Sequence, residues 1–120
     1  MRHRLAGRKL GRNTHERWSL FRNLIRSLVM HERIRTSLAK AKAVKPLVDK
    51  LMTMAKANTL ASRRRALSVL THKPAVEKLF KELAPRTKTR TSGFTRIRRL
   101  GQRLGDNSLM AQIEWVDKND

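Results

Sequence analysis

The chain has 120 residues, with 29 Lys or Arg against 9 Asp or Glu, a formal net charge of +20, and 39% apolar residues. It has no Cys, which excludes disulfide frameworks, thiolate zinc sites and cysteine nucleophiles. No apolar run approaches the ~20 residues of a membrane span, and the length fits one domain, 1–120, around a single modest core.

Residues 1–12, MRHRLAGRKLGR, hold Arg2, His3, Arg4, Arg8, Lys9 and Arg12 and too few apolar residues for a packed element. They read as a basic extended arm that orders along a phosphate backbone. The same Arg-rich, acid-poor composition also fits a mitochondrial import signal. The mainly helical part, 13–84, follows. Asn13 stands three residues before Glu16, a capping arrangement. Trp18, Phe21, Leu24, Ile25, Leu28 and Val29 then recur at helical spacing. This predicts a helix over about 14–30, with Trp18 in the core and Arg22 and Arg26 beside the apolar face.

HERIRTS, 31–37, alternates, with Ile34 and Thr36 opposed to Arg33 and Arg35, and reads as a short strand. Ser37 can cap a second helix over 38–57, whose stripe is Val44, Leu47, Val48, Leu51, Met54 and Ala55. Pro46 inside it, at a cost of about 3 kcal/mol, predicts a bend. Asn58 and Thr59 mark a break before a third helix with Leu60, Ala66, Leu67 and Leu70, which also carries Arg63, Arg64 and Arg65. Pro74 suits a first helical position, and Val76, Leu79, Phe80 and Leu83 form the stripe of a fourth helix, which Pro85 is expected to end.

The segment 85–93 has no apolar periodicity and reads as a basic loop with Arg86, Lys88 and Arg90 among Thr and Ser hydroxyls. Phe94–Arg103 and Leu109–Val116 alternate on either side of LGDNS, 104–108, a strong turn sequence. They predict a β-hairpin over 94–116, followed by a tail, 117–120. The expected fold is α+β, with about four helices packed on a small sheet of about three strands, including the C-terminal hairpin.

A compact chain of this charge repels itself, and a polyanion relieves the repulsion by exchanging small counterions for phosphates. Nucleic acid is therefore the expected partner, ahead of an anionic membrane surface. The candidate contacts are the arm, Arg22, Arg26, Arg63, Arg64, Arg86, Lys88, Arg90, Arg96, Arg98, Arg99 and Arg103. Arg pairs phosphate bidentately and stacks on bases. Phe94, at a strand start, is placed either for base stacking or for the core, and Trp115 for the core. Residues 106–120 hold Asp106, Glu114, Asp117 and Asp120, so the second hairpin strand and the tail are expected away from the polyanion. The four His are scattered and pair with no carboxylate or metal-ligand spacing, and no phosphate-binding glycine loop is present. No catalytic residue, metal or cofactor is expected. Charge alone leaves a non-specific DNA-binding architectural protein open as the alternative to an RNA binder.

In order and spacing, MRHR at 1–4, GRKLGR at 7–12, HER at 15–17, FRNLIRSLV at 21–29, HERIRTSLAKAK at 31–42, LAPR at 83–86, SGFTRIRR at 92–99 and GDNSLMAQIE at 105–114 resemble ribosomal protein seventeen of the large subunit, bacterial type. The resemblance covers nearly the whole chain. Each motif alone is weak, and the ordered set is specific. It implies an α+β, non-catalytic structural protein that binds large-subunit ribosomal RNA and sits beside other large-subunit proteins near the peptide exit region. The family usually carries Gly-Gly-Tyr-Thr-Arg where this chain has Ser92-Gly93-Phe94-Thr95-Arg96, so Phe94 lacks the hydroxyl. The MRHR start points to a bacterial cytoplasmic ribosome, with a mitochondrial or plastid ribosome as the alternative.

Overall fold

The computed structural model describes residues 13–87 and 93–116; the predicted arm, Lys88, Arg90 and the tail lie outside the described residues. Helix α1 (Thr14–His31) starts as its capping residues dictate: Asn13 Oδ1 accepts the Glu16 N–H at 2.9 Å, and Asn13 Nδ2 donates back to Glu16 Oε1 at 3.2 Å. Phe21, Ile25, Leu28 and Val29 are buried. Trp18, expected with them, is 46% exposed. It lies near the N-terminal end of α1, in the wall of a groove shared with α2 and α3, and it meets Phe21 edge-on with ring centroids 6.0 Å apart.

The chain leaves α1 at Glu32, which adopts a left-handed conformation (φ 68°), and enters β1 (Arg33–Ser37). Ser37 Oγ accepts the Lys40 N–H and caps α2 (Leu38–Ala57). Pro46 lies inside α2, and the helix continues through it. The carbonyl it leaves without an intrahelical donor is that of Lys42, an exposed residue, so water can satisfy it. Thr59 and Ser62 form a reciprocal capping box for α3 (Leu60–Leu70). His72 Nδ1 accepts the Ala75 N–H to cap α4 (Lys73–Lys78). A π turn (Leu79–Leu83) and a last turn, α5 (Ala84–Arg86), follow. Pro85 therefore does not end the helix. The wider turn precedes it directly, where a proline removes a donor and crowds the preceding carbonyls, and Thr87 closes the end through its N–H to Ala84 O at 3.2 Å.

Strands β2 (Thr95–Gln102) and β3 (Leu109–Trp115) form the expected hairpin. The sheet is antiparallel in the order β1-β3-β2, so the last strand is the central one. A bulge between Arg99 and Gly101 leaves Leu100 as the extra residue. Gly101 takes φ 102°, a conformation a side chain would strain. The inner face of the sheet, with Ile34 and Thr36 from β1, Thr95 and Ile97 from β2 and Ala111, Ile113 and Trp115 from β3, packs under the helices. Trp115 also donates its indole N–H to Leu28 O at 3.1 Å, pinning β3 to α1. Leu28 is fully buried. Leu28→Ala should cost about 2–5 kcal/mol, read as a shift in the urea midpoint.

Glu32 binds the end of α1 to the fourth helical run. Its carboxylate accepts from Arg86 and pairs with Lys78 at 3.3 Å. The Arg86 hydrogen bond is the largest influence and lowers its pKa; burial opposes this and Lys78 adds to it, leaving the group below its ordinary value. A depressed folded-state pKa contributes stability above the unfolded value, and that stability is lost as pH falls through the folded one. The melting-temperature gap between the native chain and Glu32→Gln should therefore be constant above about pH 5 and close as the pH is lowered further, as followed by circular dichroism.

Candidate nucleic-acid interface

Strand alternation that sends Ile34, Thr36, Thr95 and Ile97 inward sends their neighbours outward. Arg33 lies opposite Glu114, and Arg35 opposite Gln112, on one edge of β3. Arg96 lies opposite Glu114, and Arg98 opposite Gln112, on the other. The outer face of the sheet is thus a plate of four guanidinium groups around one carboxylate. Glu114 holds Arg96 at 3.2 Å and Arg98 at 3.6 Å and accepts from Gln112 at 3.0 Å. Burial works to raise its pKa, but the hydrogen bonds from Gln112 and Arg96, with the nearby charges of Arg96 and Arg98, outweigh it and keep the group ionised. β3, expected away from the polyanion, is the central strand and runs through the middle of this plate.

The predicted residues fall into distinct roles. Arg98 is exposed on the plate, Arg99 is exposed on the opposite face of β2, across from Ala111, and Arg103 is exposed near the hairpin turn. Arg103 is engaged by Asp106, whose carboxyl this hydrogen bond holds well below the usual carboxylate range, with help from the Ser108 N–H. Arg64 is exposed on α3, and Arg63 lies over the Phe80 ring at 5.0 Å. Arg22 is half-buried on α1.

Two predicted arginines work inside the fold. Arg26 donates to Leu70 O at 2.7 Å and to the Thr71 hydroxyl, joining α1 to the end of α3. Arg86 pairs with Glu32. Phe94 is only 1% exposed, so its ring packs in the core rather than standing open to a base; Lys56 lies over it at 5.1 Å. Its place beside the inner face of the sheet decides between the two sequence readings. Lys88, Arg90 and the arm residues Arg2, His3, Arg4, Arg8, Lys9 and Arg12 lie outside the described residues.

Arg33 and Arg35 were not among the predicted contacts. Their signal was the alternation in HERIRTS, and its meaning depended on β1 pairing with a strand some 80 positions later in the chain. Among the described residues, no three His, Asp or Glu side chains converge as metal ligands, and no helix is long and apolar enough to cross a membrane.

The family model described as ribosomal protein L17 matches residues 20–116. The chain belongs to the ribosomal protein L17 family. Among curated relatives, the large ribosomal subunit protein bL17 of Thermomicrobium roseum is 52% identical over 116 residues, which is 97% of this chain and 99% of that protein. The L17 match spans all three strands and every described helix except the first turns of α1.

If the plate meets phosphate, replacing Arg33 and Arg35 by Gln should lower the slope of log affinity against log salt by about one for each phosphate no longer neutralised. Replacing Arg96, Arg98 and Arg99 by Gln should flatten it in the same way. Filter binding to large-subunit ribosomal RNA over a salt series measures both, and an unchanged slope would remove those residues from the phosphate-binding surface.

Proposed function

We propose that the chain is a non-catalytic structural constituent of the large ribosomal subunit that binds large-subunit ribosomal RNA through its basic arm, Lys88 and Arg90, and the outer plate of the sheet. Membership of the L17 family carries the ribosomal assignment. The observation that supports the RNA surface is the plate itself, where Arg33, Arg35, Arg96 and Arg98 gather around a single acid in a chain of net charge +20. A flat array of guanidiniums suits the backbone and 2′-hydroxyls of folded RNA, since the A-form major groove is too narrow for side chains to read. The helices serve to hold the plate in register. Within the subunit we place the chain beside other large-subunit proteins near the peptide exit region, in a bacterial cytoplasmic ribosome, as one domain.

A DNA-binding architectural role shares the same electrostatics, so the deciding experiment is competition between large-subunit ribosomal RNA and duplex DNA at fixed salt. The RNA should win, and equal affinity would overturn the reading. Removing residues 1–12 should weaken incorporation into subunits, measured by co-sedimentation in high salt, while the helical circular dichroism signal persists. Loss of that signal would contradict the assignment of 1–12 as an arm.

A further inference from the structure

An apolar groove of about 160 Å³ opens on the helical side of the molecule, away from the plate. Trp18, Phe21 and Ile25 of α1, Leu47, Leu51 and Met54 of α2 and Val69 of α3 form its walls. An apolar cavity of about 150 Å³ accommodates one benzene ring, so the groove is of the size that takes one six-membered ring, a pyrimidine base or the inner ring of a purine whose other ring stays at the open mouth. Trp18 stands in its wall with nearly half its surface exposed, and its edge-on contact with Phe21 fixes the indole orientation. Arg22 and Lys50 belong to the same lining, and no acidic residue does. Among the described residues neither of these cations has a side-chain hydrogen bond or ion-pair partner.

The geometry points to a seat for one unstacked nucleobase, with Trp18 as the stacking platform and Arg22 and Lys50 holding the phosphates on either side of it. The inference rests on the RNA-binding reading and adds to it a second, helical contact that recognises a splayed single-stranded nucleotide rather than a helix surface. Charge decides the occupant. A base in a strand carries a phosphate on each side, which supplies a partner for each of the two cations. An apolar side chain from a neighbouring protein would fill the walls and leave both cations unmatched. Recognition of looped-out bases by aromatic stacking beside cationic side chains is the usual way folded RNA is read outside its helices.

The test compares the full chain with Trp18→Ala and Trp18→Phe, using two probes: single-stranded oligoadenylate, and inorganic polyphosphate, which has the charge but no bases. Trp18→Ala should weaken oligoadenylate binding by about 5- to 150-fold, the range for loss of one stacked base, and leave polyphosphate binding unchanged. Trp18→Phe keeps a ring and should retain most of the affinity. A Trp18→Ala chain that binds both probes as the native chain does, or loses both equally, would overturn the seat. In native large subunits, ultraviolet crosslinking should leave a nucleotide adduct on the peptide 18–22, and a protein crosslinked there instead would also overturn it. These failures stand apart from that of the wider reading. If Trp18→Ala has no effect while ribosomal RNA still outcompetes duplex DNA, only the seat falls.

Discussion

The antiparallel pairing of β3 with both β1 and β2 is the constraint on which the rest depends. It carries Arg33 and Arg35 from one end of the chain onto the same surface as Arg96 and Arg98 from the other. Residues two apart on a strand face lie ~7 Å apart at the backbone, and two like charges at that separation repel by about 0.6 kcal/mol in bulk water and about 2.4 kcal/mol at an effective dielectric of 20. Glu114 offsets part of this at the centre of the plate. The remainder is tolerable because the inner face of the same ladder is anchored by Ile113, Ala111 and Trp115 in the core. The sheet can hold a repelling surface outward because burial inward fixes its register, and phosphates then replace repulsion with attraction.

Helix positions were largely legible because each helix announces its own start. Asn13 with Glu16, Ser37, and Thr59 stand just ahead of regular apolar stripes and act as the caps their chemistry suggests. The hairpin was legible for a similar local reason, turn residues between two alternating runs. Trp18, Pro85 and the place of β3 were not, because each depends on tertiary contacts. A stripe residue is core only as far as neighbouring helices reach, a proline stops a helix only if the preceding turn cannot widen, and a strand is central only if a distant segment pairs with its free edge. The charge pattern alone could not separate arginines that hold the fold from those that face outward. Arg26 and Arg86 are struts, whereas Arg35, Arg64 and Arg99 are exposed.

The scarce acids explain how so basic a chain keeps a defined shape. Most of the described ones sit where they fix geometry. Glu16 closes the first turn of α1, Glu32 ties α1 to the fourth helical run, and Asp106 orders the hairpin turn by bonding Arg103 and the Ser108 N–H. Asp49 pairs with Lys45 along α2 and accepts the Thr95 hydroxyl at 3.2 Å, joining α2 to the start of β2. Glu114 orients Arg96 and Arg98. The Arg103–Asp106 pair is exposed and adds little stability, whereas the pairs of Glu32, Asp49 and Glu114 are partly buried. Their effect is to restrict where the cations point, so fewer rotamers are lost when phosphate arrives. Nine acids against 29 bases cannot neutralise the molecule. Glu16, Glu32, Asp49, Asp106 and Glu114, at helix ends, along α2, at a turn and at the centre of the plate, set the direction of the charge and leave its magnitude for the RNA to balance.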